Sequence, residues 1–288
     1  MKKTAFITFL ILIIASCSFN ESVKIDLTTG LSSKGSGLSC EDVYLTVNNE
    51  KVTRNVFVYG EVIEINFNGI EGFTQKGKEV FPGMKLLVLD KKGDTVLYSP
   101  DLYADYTDPI TKSPLSLISK ITIGNPFRSN QSYTATVHLW DKKGKGTFDT
   151  KLEFSTVSNK AIKTTTSGLT ANEVMLYNQE SSNPIVADKI PYDTKITLVF
   201  DDLKGYKSEN GICEFGLRMV ISDKDGTVLL SEDDLLEGVT LDETEPNKQI
   251  LGSFTLPSGV KGPILLEAIV WDKIGTGKIT TMAKLELE

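Results

Sequence analysis

One unit occurs twice in this chain, and the duplication constrains the fold more than any other feature of the sequence. Residues 37–39 (Gly-Leu-Ser) return as residues 168–170 (Gly-Leu-Thr), and residues 139–146 return as residues 270–277, each with Trp-Asp-Lys near its start. Further blocks return in the same order at spacings of 131 to 133 residues. A repeat with a fixed period predicts that one structural unit is built twice.

The repeat sets the expected domain boundaries. We place two homologous domains at residues 38–157 and 168–288, and we predict that residues 158–167 are a linker between them. The length of 288 residues agrees with two domains of ordinary size.

The pattern inside each unit is that of β-strands. Apolar and other side chains alternate along residues 62–67, 133–140 and 147–154, which is typical of strands with one buried face. Asp-Lys-Lys-Gly at residues 90–93 and 141–144 predicts hairpin turns, because Asp hydrogen-bonds nearby backbone and Gly adopts positive φ. About seven strands in roughly 120 residues predict a two-sheet sandwich, so we expect an all-β chain.

Composition and charge argue against several functions. Asp and Glu outnumber Lys and Arg by 38 to 31, and the net charge of −7 argues against nucleic acid as a partner. The single His and three Cys leave little material for a His-based active site or a zinc array. His138 lies in a predicted strand with no nucleophile elbow near it, so we do not expect an enzyme. A polysaccharide-acting enzyme that uses two carboxylates is the minor alternative.

The N-terminus has the layout of a secretory signal. A positive start precedes an apolar run at residues 6–14, which is too short to span a bilayer. Residues 14–17, Ile-Ala-Ser-Cys, resemble a bacterial lipobox. The resemblance implies that residues 1–16 are a lipoprotein signal peptide and that Cys17 is lipidated, so that the membrane is a partner. The alternative is simple secretion with an incidental Cys.

Residues 17–37 are rich in small polar side chains, and we predict that they form a flexible tether after the lipidated Cys17. We therefore expect a lipid-anchored protein of the bacterial cell envelope. Ser18 is compatible with sorting to the outer membrane, by resemblance to other lipoproteins. The surface and the periplasmic face both stay open.

The end of each unit resembles an immunoglobulin-like domain. Tyr133 and Asp141 follow the pattern of the penultimate strand and last hairpin of such domains, with Tyr133 at the position of the tyrosine corner. The second unit keeps Asp272 but has Ile264 in place of the Tyr. The whole chain resembles Bacteroidetes-type surface lipoproteins with two tandem immunoglobulin-like β-sandwich domains. That resemblance implies a role in adhesion, glycan capture or another binding task.

Two repeated tryptophans are candidate ligand-binding residues. Strand alternation sends Trp140 and Trp271 to the face opposite their apolar neighbours, where an exposed ring can stack on a sugar or anchor a protein. The alternative is that each ring is covered, since its presence in both copies favours a packing role that predates the duplication.

A loop of the first unit carries the other candidates. Tyr103 and Tyr106 alternate with Asp101 and Asp105, and aromatic rings interleaved with carboxylates suit carbohydrate capture. The second unit has no matching aromatic residues. Ordinary packing of the loop is the alternative.

The remaining acids and cysteines have structural interpretations. Asp90, Asp141, Asp223 and Asp272 are expected to close hairpins, and a weak Ca²⁺ site is the alternative, so that no cofactor is predicted. Cys40 and Cys213 stand at non-equivalent places, which favours buried free thiols over a bridge between the two domains.

These observations favour a lipid-anchored envelope protein that acts as a non-catalytic binding, adhesion or structural display module for a protein or glycan ligand. A glycan-capturing lipoprotein of a nutrient-uptake system is the alternative within the same class.

Overall fold

The computed structural model describes residues 21–288 apart from residues 107–108, 112–113 and 247. The described residues form two β-sandwiches and no α-helix. The expectation of an all-β chain with tandem sandwiches is confirmed. The predicted signal peptide and Cys17 lie outside the described residues.

The first sandwich has one large and one small sheet. The order in the large sheet is β1-β2-β11-β10-β7-β8, with β5 parallel to β11, and the order in the small sheet is β4-β3-β6-β9. The strands are β1 Glu21–Ile25, β2 Ser32–Ser36, β3 Ser39–Val47, β4 Glu50–Val52, β5 Val56–Val58, β6 Val62–Glu71, β7 Pro82–Asp90, β8 Thr95–Ser99, β9 Leu115–Thr122, β10 Ser132–Asp141 and β11 Thr147–Val157.

The second sandwich repeats this plan. Its large sheet has the order β12-β22-β21-β17-β18, with β15 parallel to β22 and β19 beside β17, and its small sheet has the order β14-β13-β16-β20. The strands are β12 Ile162–Ser167, β13 Glu173–Asn178, β14 Asn183–Ile185, β15 Lys189–Ile190, β16 Ile196–Asp201, β17 Ile212–Ser222, β18 Val228–Glu232, β19 Thr240–Asp242, β20 Ile250–Phe254, β21 Ile264–Asp272 and β22 Lys278–Leu287.

Apart from β1 and β19, every described strand of one sandwich has a counterpart in the other. The register agrees as well, since Trp140 pairs with Thr147 and Trp271 pairs with Lys278. The sheets β8-β7-β10-β11 and β3-β6-β9 follow the C′CFG and ABE orders of immunoglobulin-like sandwiches. The sequence repeat is therefore a repeat of topology.

Alternation along the strands builds a separate core in each sandwich. In β9, buried and exposed residues alternate without a break from Leu115 to Thr122, as they do from Tyr133 along β10. The inward side chains of the two sheets form one hydrophobic cluster per sandwich. Full burial of one such side chain stabilises the fold by about 1.5–3 kcal/mol.

The flexible tether and the linker were predicted too long. Residues 21–25 and 32–36 form β1 and β2, and β2 lies between β1 at the edge of the large sheet and β11, with Leu31 buried beside it. In the second sandwich β12 pairs with β22 in the same way, so the linker shrinks to residues 158–161. Small polar residues suffice in an edge strand because its neighbour supplies the backbone hydrogen bonds and little side-chain burial is needed.

The tyrosine corner is present in the first sandwich. The Tyr133 hydroxyl accepts a hydrogen bond from Arg128 N at 2.8 Å and donates one to Arg128 O at 3.3 Å. Its ring packs between Phe127 and Phe154. Ile264 occupies the equivalent position in the second sandwich, where it is buried but has no hydroxyl to donate.

Candidate functional site

Both tryptophans pack over a glycine on the outer face of the large sheet. Trp140 pairs with Gly83, and Trp271 pairs with Gly216. A Cβ on either glycine would overlap the indole ring beside it. The two rings are half-buried, so the packing interpretation accounts for them better than an exposed binding platform.

His138 extends the packing at Trp140 in the first sandwich. Its ring stacks on the indole at 5.8 Å between ring centres, and its Nδ1 lies 2.7 Å from Asp149 Oδ1 on the next strand. A histidine that is hydrogen-bonded to a carboxylate forms two of the three members of a Ser-His-Asp triad. Both contacts are also those of ordinary neighbours on one face of a sheet, since Trp140 lies two residues further along β10 and Asp149 lies opposite His138 on β11.

Asp101 has a structural role that both sandwiches share. Its Oδ1 accepts hydrogen bonds from Met84 N at 3.0 Å and Tyr103 N at 2.9 Å, and its Oδ2 lies 2.7 Å from Lys142 Nζ. Burial alone would raise the pKa of Asp101, but Lys142 and the two amides outweigh it and hold the pKa below its usual value.

The second sandwich has the same arrangement around Asp234. Its carboxylate accepts hydrogen bonds from Leu217 N at 3.1 Å and Leu236 N at 3.0 Å and lies 2.6 Å from Lys273 Nζ. We call each set an aspartate lock, because one side chain fixes a loop to β7 or β17 and to the last hairpin of its sandwich. The lock explains Asp101 without a ligand.

Two of the four candidate residues in the proposed carbohydrate loop are therefore held by contacts within the fold. Tyr103 packs against the core and lies 5.3 Å from Tyr106 between ring centres. Burial raises the pKa of the Tyr103 phenol. Tyr106 and Asp105 are exposed, and they are the two residues of the candidate set that remain available to a ligand.

The four turn acids close their hairpins as expected. Asp90 Oδ1 accepts hydrogen bonds from two amides of its own turn, and Asp223 Oδ1 does the same in the second sandwich. Asp141 and Asp272 are buried, and each accepts one amide of its hairpin and one from the loop that packs on it. In the part of the chain that the structure describes, no group of three or more His, Cys, Asp or Glu residues is arranged to hold a metal ion.

The cysteines of the two sandwiches are free and buried, as expected. Burial raises the pKa of Cys40 to about 12, so its thiol stays protonated at neutral pH. Cys17 and the apolar run before it lie outside the described residues. Among residues 21–288, with the gaps named above, no helix could span a bilayer.

A cleft between the sandwiches is the feature that sequence reasoning missed. It has a volume of about 820 Å³ and lies where β5 and the linker meet β21, β22 and the loop at residues 186–188. Its wall is aliphatic, and Val56, Leu265 and Met282 are substantially exposed in it. The cleft exists because two copies pack against each other, so no local pattern could have indicated it.

The rim of the cleft is basic. Arg54 makes a bidentate ion pair with Glu61, at 2.7 and 2.9 Å. The other rim charges are three lysines and one aspartate, namely Lys160, Lys163, Lys284 and Asp188. None of these lysines has an ion-pair partner among the described residues, although the chain as a whole is acidic.

Specific contacts hold the two sandwiches around this cleft. The buried Asn159 of the linker donates hydrogen bonds to Ile185 O and Ala187 O, both at 3.0 Å. Gly60 approaches Pro184 so closely that a Cβ would overlap its ring. These contacts fix the loop that forms one wall of the cleft.

A buried acidic pair lies at the same junction. Glu173 and Asp201 are neighbours on adjacent strands, and Tyr59 of the first sandwich packs towards them. Burial, with the charge of Asp201 adding to it, raises the pKa of Glu173. Burial and these two carboxylates also raise the pKa of Tyr59.

The opposite end of the first sandwich is a basic tip. The loop at residues 73–81 packs on the hairpin at residues 141–146, since Asp141 accepts a hydrogen bond from Thr74 N and Phe81 O accepts one from Lys142 N. This tip carries four lysines with no ion-pair partner in the described ranges, namely Lys76, Lys78, Lys143 and Lys145. Strand β1 also begins at the tip, because Glu21 pairs with Ser36 and Ser36 pairs with Thr147.

Comparisons with known proteins do not assign a family. No protein-family model matches the chain, and no curated protein matches it. Among solved structures, the chain is similar to the three FKBP domains of wheat FKBP73, at 12% identity over 79% of this chain and 95% of that chain, with a TM-score of 0.14.

Proposed function

We propose that this chain is a non-catalytic binding module of the cell envelope, anchored through a lipidated Cys17, which presents the second sandwich away from the membrane. The observation that carries the proposal is the position of β1, which begins at the basic tip of the first sandwich. The second sandwich contacts the other end of the first, beyond the end of β11.

The distances support this orientation. Three residues, 18–20, separate Cys17 from β1, so an acylated Cys17 would hold the tip close to the lipid headgroups. Strand β11 runs from the tip to the linker over ten residue steps, or roughly 33 Å. The connection between Cys17 and β1 is shorter than the tether predicted at residues 17–37. The first sandwich would then hold the second sandwich away from the membrane.

The charge at the tip suits an anionic surface. Each lysine near such a surface adds about 1 kcal/mol of attraction. The acids of the loop and hairpin that form the tip are Glu79 and the buried Asp141, so the four lysines of the tip exceed them in number. The tip would therefore support the acyl anchor, although the net charge of the chain is negative.

Glycan capture has weaker support than it had from the sequence. Of the four residues proposed for it in the loop, Asp101 is held in an aspartate lock and Tyr103 packs on the core. The exposed ring of Tyr106 is the remaining support. A glycan array with Tyr106→Ala as the variant tests this alternative, which predicts that the variant loses every array signal.

Metabolic labelling tests the anchor. The full chain is expressed in a Gram-negative host with an alkyne fatty acid, beside Cys17→Ser, while Cys40→Ser serves as the matched control. We expect the wild type and the control to carry the fatty-acid label and to be found in the membrane fraction. Cys17→Ser should carry no label and should not be found in that fraction. A wild-type chain that is secreted without label would contradict the proposal.

A further inference from the structure

We propose that the cleft between the two sandwiches binds a single-chain amphiphile with a linear aliphatic tail and an anionic head group. The inference names a ligand for the proposed binding role and rests on that role. It does not depend on the anchor, because the cleft is built entirely from residues 54–284.

The shape of the cleft is that of a small-molecule site. Its volume of about 820 Å³ falls in the range of known ligand pockets, which lie at domain interfaces more often than elsewhere. The Asn159 hydrogen bonds and the close approach of Gly60 to Pro184 hold one wall in place. A wall that is fixed before binding lowers the entropic cost of binding.

The side chains of the wall select for an aliphatic ligand. They come from Val, Ala, Leu and Met, with no aromatic ring among the residues that line the cleft. Sugar rings and flat heterocycles bind best against aromatic faces. An alkyl chain instead gains from burial alone, in proportion to the apolar surface that it removes from water.

The rim selects for an anionic head group. Lys160, Lys163 and Lys284 stand at the mouth without an ion-pair partner in the described structure, whereas Arg54 is neutralised by Glu61. Asp188 is the only other acid of the lining. A carboxylate or phosphate at the mouth would therefore meet an excess of positive charge while its tail lies along Val56, Leu265 and Met282.

Isothermal titration of the chain lacking residues 1–17 with monomeric dodecanoate tests the site. Dodecanol and dodecylamine are the matched ligands, because they share the tail and differ in the charge of the head. We expect one dodecanoate per chain, weaker binding of dodecanol, and still weaker binding of dodecylamine. Equal affinity for the three ligands, or no heat with dodecanoate, would overturn the proposal.

Two variants locate the ligand. Ala187→Trp places a large ring in the cleft from an exposed position and should abolish the heat, while Leu251→Trp, on an exposed strand position outside the cleft, should not. Reversal of the rim charges with Lys160→Glu, Lys163→Glu and Lys284→Glu should weaken dodecanoate about tenfold. The same reversal at Lys76, Lys78 and Lys145 of the tip should leave it unchanged.

These substitutions are at surface positions, so we expect each variant to fold. An unfolding curve that matches that of the wild type checks this. Binding that survives Ala187→Trp would place the ligand elsewhere and overturn the proposal. Binding of the chain to anionic vesicles without any binding of free dodecanoate would also overturn the proposal, because the chain would then contact a bilayer surface and the cleft would not hold the ligand. The labelling of Cys17 is a separate experiment, so the failure of the anchor and the failure of the cleft can be told apart.

Discussion

The two sandwiches have the same strand topology, but different side chains fill their cores. At the junction end the first sandwich packs aromatic rings, Phe57, Phe127 and Phe154, around Tyr133. The second has Ile190, Ile264 and Leu285 in the corresponding strands. Side chains of different shape thus fill the same backbone arrangement, which shows that the fold needs apolar residues at these places rather than particular ones.

The two copies also share buried polar contacts and close packing contacts. Each has an aspartate lock, a buried Asp in the last hairpin, and a Trp ring over a Gly. A polar group that is buried with its partners cannot be replaced singly without leaving a donor or acceptor unpaired. These shared features should therefore cost a similar free energy of unfolding when they are lost from either copy, and the following predictions test that expectation.

The largest effect should come from the buried hairpin acids. Asp141→Ala and Asp272→Ala each leave two backbone amides unpaired and should each lower the free energy of unfolding by about 3 kcal/mol. Hydrogen exchange read by mass spectrometry for each sandwich measures the loss. If the loss in the free energy of unfolding in one sandwich were more than twice the loss in the other, the two hairpin acids would not be equivalent. Asp225→Ala, in an exposed turn, is the control.

The Trp-over-Gly contacts should come next. Gly83→Ala and Gly216→Ala would force the indole ring away and should cost about 2 kcal/mol each, measured by urea unfolding. In a double variant with Trp140→Ala, the Gly83→Ala change should cost nothing further, because the clash has been removed. If the free-energy costs of the two substitutions simply added in the double variant, the indole ring would not lie on the glycine.

The tyrosine corner sharpens the contrast, because only the first copy has it. Tyr133→Phe keeps the ring on Phe127 and Phe154 but loses both hydroxyl hydrogen bonds, and it should cost about 1 kcal/mol. Tyr98→Phe, at an exposed position, should leave the unfolding curve unchanged. An unchanged unfolding curve for Tyr133→Phe would mean that the hydroxyl hydrogen bonds do not stabilise the first sandwich.

The smallest effect should be the pH dependence at the junction. The pKa of Glu173 is raised in the folded state, so its contribution to stability is complete below its ordinary pKa of 4.5 and is lost as pH rises through the raised value. Glu173→Gln should therefore reduce the gain in melting temperature that accompanies a fall in pH towards 4.5. Glu180→Gln, at an exposed position, should retain the wild-type slope. An unchanged slope in Glu173→Gln would show that this carboxyl does not titrate in the folded chain in that range.

Much of the fold could be predicted from the sequence, because period-2 alternation and Asp-Gly turns act locally. Strands β2 and β12 could not, since their Ser, Thr, Gly and Lys residues give them the same composition as a linker. The structural role of Asp101 cannot be read from the sequence, because its partners, Met84 N and Lys142, are distant along the chain. The cleft and the basic tip arise from packing between segments, so neither could be derived from a local motif.

The central claim is that the basic tip faces the membrane and that the junction with the cleft stands away from it. Single labels at Lys145→Cys in the tip and Lys160→Cys in the linker can report on this, because Cys40 and Cys213 are buried. The acylated protein is placed on vesicles whose headgroups carry a quencher. We predict strong quenching of the label at residue 145 and none at residue 160, whereas equal quenching, or quenching at residue 160 alone, would contradict the account.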